Sequence, residues 1–285
     1  MPEVALGHFV FLALLSAGIL SMLYNLVMSW ASRRRTTYLI GVFVFLALIF
    51  GVPIYSHFYK PASCSDGKRN QGETAPDKGG PCILLDERAL APASVLWARS
   101  FAVRPGAYNS VAYIENANEN AGVRAEHAVH YRFGMYDSKN ILVAERTGAT
   151  FILPGSITPI FEANIEAGNR EIAHTYFEFT EPFIWERVNN PAKAISVSNR
   201  EVSSVDTIPR VEATAENTSV SAVFDPSFAI VVFDPSGTAR AASKTSSSRL
   251  APGEKQRITF TWPKPFSSRV GRVDIFPLLS PSPFR

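Results

Sequence analysis

Apolar and polar positions divide the chain into three textures. Val4 to Ala31 and Tyr38 to Phe58 are almost wholly apolar. Each run reaches the roughly 20 residues an α-helix needs to cross about 30 Å of hydrocarbon. Between them lies Ser32-Arg33-Arg34-Arg35-Thr36-Thr37. Short loops rich in Lys and Arg stay in the cytoplasm. The pattern therefore predicts a transmembrane hairpin, with helices at about 4–31 and 38–58, Arg33, Arg34 and Arg35 in the cytoplasm, and both termini outside it. A cleaved signal peptide wants positive charge ahead of its apolar core, and Met1-Pro2-Glu3 has none. Two variants keep the later residues outside. The second run and its arginines can act alone as a signal anchor. Alternatively, Ala62-Ser63-Cys64 can be a lipoprotein cleavage site, against which Pro61 and the distance from the apolar run argue.

Within the first run, Ala13, Ala17, Ser21 and Asn25 recur every fourth residue and share one helix face. The second run offers Gly41, Ala47 and Gly51. Small residues let membrane helices approach closely, and Asn can bond across. The stripe serves either packing of the hairpin on itself or a homo-oligomer.

The second texture, residues 61–92, is rich in Gly, Pro and charge and reads as a stalk. The third begins near Val95. Short β-branched and aromatic runs recur at Ser110–Glu115, Val129–Tyr136, Ile141–Glu145, His174–Phe179, Val211–Ala215, Phe228–Phe233, Arg257–Thr261 and Arg272–Phe276. Turn signals such as Pro105-Gly106, Asp137-Ser138-Lys139-Asn140 and Asp234-Pro235-Ser236-Gly237 separate them. That spacing predicts all-β sandwiches.

This region also repeats itself. The spacing from Arg99-Ser100-Phe101 to Arg200-Glu201-Val202 equals that from Glu115-Asn116 to Glu216-Asn217. An aromatic strand closing on aspartate follows in each case, Tyr131–Asp137 and Phe228–Asp234. Then Leu153-Pro154-Gly155 matches Ala251-Pro252-Gly253. Two domains account for the register, 93–188 and 189–285, joined near Asn189-Asn190-Pro191. The landmarks are scaffold signals: aspartate opens a turn by bonding its own backbone, and Pro-Gly sets the next one.

Charge narrows the function. The formal net charge is +3. Arg33, Arg34, Arg35 and Lys60 against Glu3 account for all of it, so residues 61–285 sum to zero. A nucleic-acid binder would show a basic excess there. The two cysteines, Cys64 and Cys82, lie on the predicted outer side, where a pair is expected to bridge.

The segment Cys64-Ser65-Asp66-Gly67-Lys68-Arg69-Asn70-Gln71-Gly72-Glu73-Thr74-Ala75-Pro76-Asp77-Lys78-Gly79-Gly80-Pro81-Cys82 resembles a module with the pattern Cys-x-Asp-Gly-x-x-Asn-x-x-Glu-x-x-x-Asp-Cys-Gly-Gly-x-Cys. That module belongs to membrane-anchored and secreted proteins of candidate-phyla bacteria such as Parcubacteria. Lys78 stands where the family has a third cysteine, which implies one bridge kept of two. The two later copies resemble small Ig-like sandwiches of the FxLyD or fibronectin type III kind. Together the resemblances imply a membrane-anchored envelope protein and bring no activity with them.

Among residue constellations, Asp66, Asn70, Glu73 and Asp77 offer side-chain oxygens between flexible glycines. Calcium takes six to eight such ligands. The other reading is a solvated loop stapled by its disulfide, with Lys68, Arg69 and Lys78 offsetting the charge. His127 and His130 would face opposite sides of a strand. No Gly-x-Ser-x-Gly elbow or phosphate-cradling loop is present in the sequence, so no enzyme activity and no catalytic residue is expected. Trp97, Trp185 and Trp262 serve either a sugar platform or packing, with packing favoured. Asn217-Thr218-Ser219 fits a glycosylation acceptor or a strand-end turn. The expectation is a non-catalytic envelope protein that binds or scaffolds an envelope protein or glycan. The alternatives are an accessory subunit of a membrane transport or secretion complex and a calcium-dependent adhesion module.

Overall fold

The computed structural model describes residues 30–54 and 63–283. The chain divides into two compact units, residues 1–62 and 63–285. In the first, α1 (Trp30–Leu46) continues through a π-turn at Ala47–Gly51 and stays helical to Ile54. The whole helix has 25 residues, none of its apolar window is buried, and at 1.5 Å per residue it is about 37 Å long. Length and composition allow it to cross a membrane.

The loop expected at Ser32–Thr37 is not a loop: those residues form the first turns of α1. The hydroxyls of Thr36 and Thr37 donate to the carbonyls of Ser32 and Arg33, at 3.0 and 2.9 Å. The Arg34 guanidinium lies over the Trp30 ring, 4.6 Å from its centroid. Polar side chains satisfied by their own helix need no break in it. Among the described residues there is thus one membrane-length helix, not a hairpin. Most of the expected first span, with Ala13, Ala17, Ser21 and Asn25, lies outside the described residues.

The second unit is all-β. Its strands are β1 (Ser94–Arg104), β2 (Ala107–Asn116), β3 (Ala121–Gly122), β4 (Val129–Tyr136), β5 (Leu142–Thr150), β6 (Ser156–Glu166), β7 (His174–Phe179) and β8 (Glu186–Asn189). There follow β9 (Ile195–Ser203), β10 (Arg210–Asn217), β11 (Val223–Phe224), β12 (Ser227–Phe233), β13 (Ala239–Ser246), β14 (Arg249–Leu250), β15 (Lys255–Thr261), β16 (Arg272–Leu278) and β17 (Ser282–Pro283). The longer strands form four antiparallel three-stranded sheets, in the orders β1-β2-β6, β5-β4-β7, β9-β10-β15 and β13-β12-β16. The second pair of sheets takes up its strands in the same sequence of roles as the first.

Three apolar clusters explain the strand patterns. Ala112, Ile114, Tyr131, Phe133, Ile160 and Trp185 fill the first pair of sheets. Val211, Phe228, Ile230, Val232, Phe260 and Trp262 fill the second. The third cluster joins Val111 and Tyr113 of β2 to Val231, Phe233, Ala239 and Ala242 of β12 and β13. So β2 and β12 are buried on both faces, which is why they read as near-continuous apolar runs. Trp97 and Phe276 complete this third cluster. The Tyr113 ring lies 4.3 Å from that of Trp97, 6.2 Å from Phe233 and 5.3 Å from Phe276, and Arg272 caps Phe233 at 4.3 Å. The Tyr113 hydroxyl is buried without a hydrogen-bond partner. Burial first, and then the Asp274 charge, keeps it protonated far above the usual tyrosine range.

The repeated landmarks occupy like positions. Asp137 Oδ1 accepts from the backbone of Lys139 and Ile141, both at 2.9 Å. Asp234 Oδ1 accepts from Ser236 and Thr238, at 3.0 and 2.9 Å. The fourth residue of each turn takes positive φ, Asn140 at 58° and Gly237 at 79°. Asn116 and Asn217, both fully buried, end β2 and β10. Asn116 Nδ2 donates to Ala121 and Leu153 carbonyls at 2.7 and 3.0 Å, and Asn217 Nδ2 to Ser221 and Leu250 at 2.8 and 3.0 Å. Asn217 is therefore a structural plug, with no free amide for a glycan. The joint is firmer than expected. Asn190 caps a 3-10 turn at Pro191–Ala194 and donates to the Pro154 carbonyl at 3.0 Å.

Two outcomes follow from these contacts. Phe233→Ala is expected to cost about 3–5 kcal/mol in denaturant unfolding, whereas Tyr113→Phe, which removes only an unpartnered hydroxyl, is expected to be neutral or stabilising. The turn carboxyls give a pH dependence. Bonds from the Ile141 amide and Arg170 lower the pKa of Asp137, and those from Ser236, Thr238 and Arg240 lower that of Asp234. A depressed folded pKa contributes stability that is present above the unfolded value of about 3.9 and lost as pH falls through the folded one. The unfolding midpoint should fall on acidification below about pH 4, and less steeply in Asp137→Asn/Asp234→Asn.

Candidate functional site

Three polar assemblies carry the candidate chemistry. The first is the disulfide loop. Cys64 and Cys82 are bridged, with Cα atoms 5.5 Å apart. Gly79 and Gly80 both take positive φ, and a Cβ on Gly79 would lie 2.5 Å from Thr74 Oγ1, so the Gly-Gly pair is a steric requirement of the loop. Asp77 accepts from the amides of Asp66 and Gly67, at 2.9 and 3.0 Å. Asp66 accepts from the Lys68 amide at 2.8 Å and from Asn70 Nδ2 at 2.9 Å, which hold its carboxyl below the ordinary range. Glu73 is almost fully buried, and its Oε2 accepts from the amides of Asn70 and Asp77, both at 3.2 Å. Its Oε1 lies 3.1 Å from Cys82 Sγ, a sulfur without a proton in the bridge.

The structure brings Asp66, Asn70, Glu73 and Asp77 together; Asp66, Asp77 and Glu73 Oε2 accept from N–H donors, while Asn70 Oδ1 is buried without a partner and Glu73 Oε1 meets no N–H donor. A cation cage needs those lone pairs free. Cys64, Glu73 and Cys82 also gather, yet disulfide sulfurs are not thiolate ligands. The loop is also more than a stalk. The Leu85 amide donates to Trp185, the Arg187 amide to Ile83, and Arg187 Nη2 to the Gly80 carbonyl, so β8 holds the loop's far end against the β-body.

The second assembly sits on the same strand. Glu186 of β8 is nearly inaccessible. Arg124 grips it with Nε and Nη2 at 2.5 and 2.9 Å, and His127 Nδ1 lies 3.1 Å from Oε1. Burial works to raise the carboxyl's pKa, but the Arg124 bonds and charge outweigh it and the value is lowered. His130 goes elsewhere, to Glu181 at 3.0 Å, so the two histidines do not form a metal pair. Trp185 and Trp262 are core residues and Trp97 belongs to the third cluster, so these three tryptophans build no exposed platform.

The third assembly carries no motif and was missed in the sequence. A cleft of about 730 Å³ opens between β1, the start of β7, β13 and the segment Trp262–Ser267. Arg99, Arg240, Lys264 and His174 line it, and no carboxylate does. Arg240 is paired with Asp234 at 2.8 Å. Arg99 and Lys264 are exposed and have no ion-pair partner among the described residues. Each of the three strands is an edge: β1 pairs only β2, β7 only β4, and β13 only β12. Only the convergence of edges from distant parts of the chain makes this place, and no local pattern encodes it.

No protein-family model matches the chain, and no curated protein does. Among solved structures, red sea bream transglutaminase is similar over 65% of this chain and 29% of its own, at 10% identity and a TM-score of 0.20. Bacteroides uniformis beta-glucuronidase is similar over 56% and 22%, at 13% identity and a TM-score of 0.18. The chain spans less than a third of either length, and these likenesses carry no functional argument.

For the loop, millimolar calcium against chelator is expected to leave the thermal midpoint of the oxidised protein unchanged, while reduction of the bridge destabilises the loop by about 3 kcal/mol. A calcium-dependent rise in the midpoint would support the cage reading. For the ion cluster, Arg124→Met leaves a buried carboxylate without its cation and is expected to cost about 3 kcal/mol in denaturant unfolding.

Proposed function

We propose that the chain is a membrane-anchored, non-catalytic envelope protein whose β-body faces outward as two tandem Ig-like sandwiches and binds or scaffolds another envelope component. The carrying observation is α1 and its extension: a 25-residue apolar helix with no buried residue in its window. Such a surface is stable in lipid and costly in water. Arg33, Arg34 and Arg35 lie at its N-terminal end. The positive-inside bias then sets that end in the cytoplasm and the chain after Ile54 outside. The Cys64–Cys82 bridge supports the same side, because disulfides persist in oxidising compartments. The matching strand orders and the like-placed Asp137/Asp234 and Asn116/Asn217 contacts support the tandem reading. A shared apolar cluster welds the halves into one block, which suits a part that presents a surface rather than one that closes on a substrate.

Protease added to spheroplasts is expected to remove a C-terminal tag while a tag on the arginine side stays protected. The protein should stay with membranes at alkaline pH and leave them when residues 30–54 are deleted. A C-terminal tag that is intact without detergent and cut with it would overturn the orientation.

A further inference from the structure

We propose that the cleft between β1, β7 and β13 binds an extended, acidic segment of a partner protein, added as a strand along the free edge of β1. The inference rests on the binding role proposed above and names the ligand class for it.

Free main chain is the first argument. An edge strand presents a row of unpaired N–H and C=O groups, a template for another chain. Three such edges line this one cleft. They are not equivalent. On β13 the Ala242 carbonyl is already used, accepting from Trp262 Nε1 at 3.2 Å and from Asn109 Nδ2 at 3.4 Å. On β7 only the first residues reach the cleft. On β1, six consecutive residues from Ala98 to Val103 line it, and among the described residues no backbone bond joins that edge to any other element. Register shifts at Val95/Trp97 and Ala102/Arg104 leave Trp97 to Ala102 as one uninterrupted stretch, which covers all but the last of these residues. Bulges at both ends stop pairing from running further, so the docking edge has a defined length of about six residues.

Preformed shape is the second argument. The Ser100 hydroxyl lies 2.7 Å from that of Ser110 and 2.8 Å from that of Thr175, which ties β1 to β7. The opposite wall, Ala239 to Ala242, is anchored in the cluster that welds the two halves. Little ordering is then left to oppose binding.

Charge selects the occupant. Arg99 on β1 and Lys264 on the facing segment are both unpaired, with Arg240 and His174 beside them and no carboxylate among the lining residues. A cation on an edge strand repels basic chains and tolerates acidic ones, so one residue both guards the edge and chooses its partner. Side chains of an added strand alternate between two faces. Arg99 and Phe101 share one face of β1, and Ala98, Ser100 and Ala102 the other, so the fitting segment sets its acidic residues on the face of Arg99 and its apolar residues on the face of Ala98 and Ala102.

The test uses the full chain in nanodiscs and a blocked octapeptide of alternating Glu and Val. Three controls accompany it: a Lys/Val octapeptide, the Glu/Val peptide N-methylated at alternate residues, and an oligogalacturonate of similar charge. The Glu/Val peptide is expected to bind, and to protect the amides within 98–103 from hydrogen exchange. Arg99→Glu/Lys264→Glu should weaken it at least tenfold, as should N-methylation, because the first removes the charge and the second the main-chain donors. Both changed residues are exposed, so the double variant should keep the wild-type unfolding midpoint. Absence of binding, equal binding of the N-methylated peptide or the oligogalacturonate, or protection elsewhere than 98–103 overturns the inference. These outcomes are scored on the β-body, so they leave the anchoring reading standing. That reading fails separately, if the wild-type chain does not partition with membranes.

Discussion

The constraint on which the β-body depends is the double burial of β2 and β12. Each strand gives alternate side chains to its own half and the others to the boundary between halves. Neither has a solvent face to lose. Tyr113, Trp97, Phe233 and Phe276 meet at that boundary in tilted and edge-on pairs, an arrangement that adds orientation to apolar burial. A hinge between halves would have to expose this cluster to water. The two halves therefore hold one arrangement, and the cleft formed by their edges holds its shape with them.

β8 is the second organising element. It pairs with β3 on one side and β17 on the other, bridges to Leu84, and carries Glu186 into contact with Arg124 and His127. The disulfide loop, the first half and the C-terminal strand are thus fastened at one short strand. The acidic residues of the loop serve its own backbone, as capping groups for amides that have no strand partner. That accounts for Asp66, Asp77 and one oxygen of Glu73, whereas Asn70 donates to Asp66 and keeps its own Oδ1 unpartnered.

Where the sequence carried local chemistry, it could be read. β4 and β7 fall on the expected residues, and β10, β12, β15 and β16 extend the expected runs by one to three residues. The Asp-led turns were visible because aspartate bonds its own backbone. β13 was harder. Its sequence, ARAASKTS, has none of the bulk of a strand. It is a strand because it pairs with β12 along its whole length, and its small Ala239 and Ala242 lie where the two halves meet. Pro159 obscured β6, which tolerates it as an edge strand. The arginine-threonine segment looked like a turn because its polarity was weighed against lipid, while its hydroxyls and Arg34 were satisfied along the helix itself.

By itself the sequence determined an apolar helix of membrane length, an all-β body, a closed cysteine loop and the turn positions, because each rests on residues close together in the chain. Tertiary structure decided which carboxylates were already occupied, which apolar strands were buried twice, and that unpaired edges of β1, β7 and β13 face one basic cleft. Those facts depend on which distant backbone groups meet. Hydrogen bonding and burial are settled by that meeting, and residue type alone does not carry it.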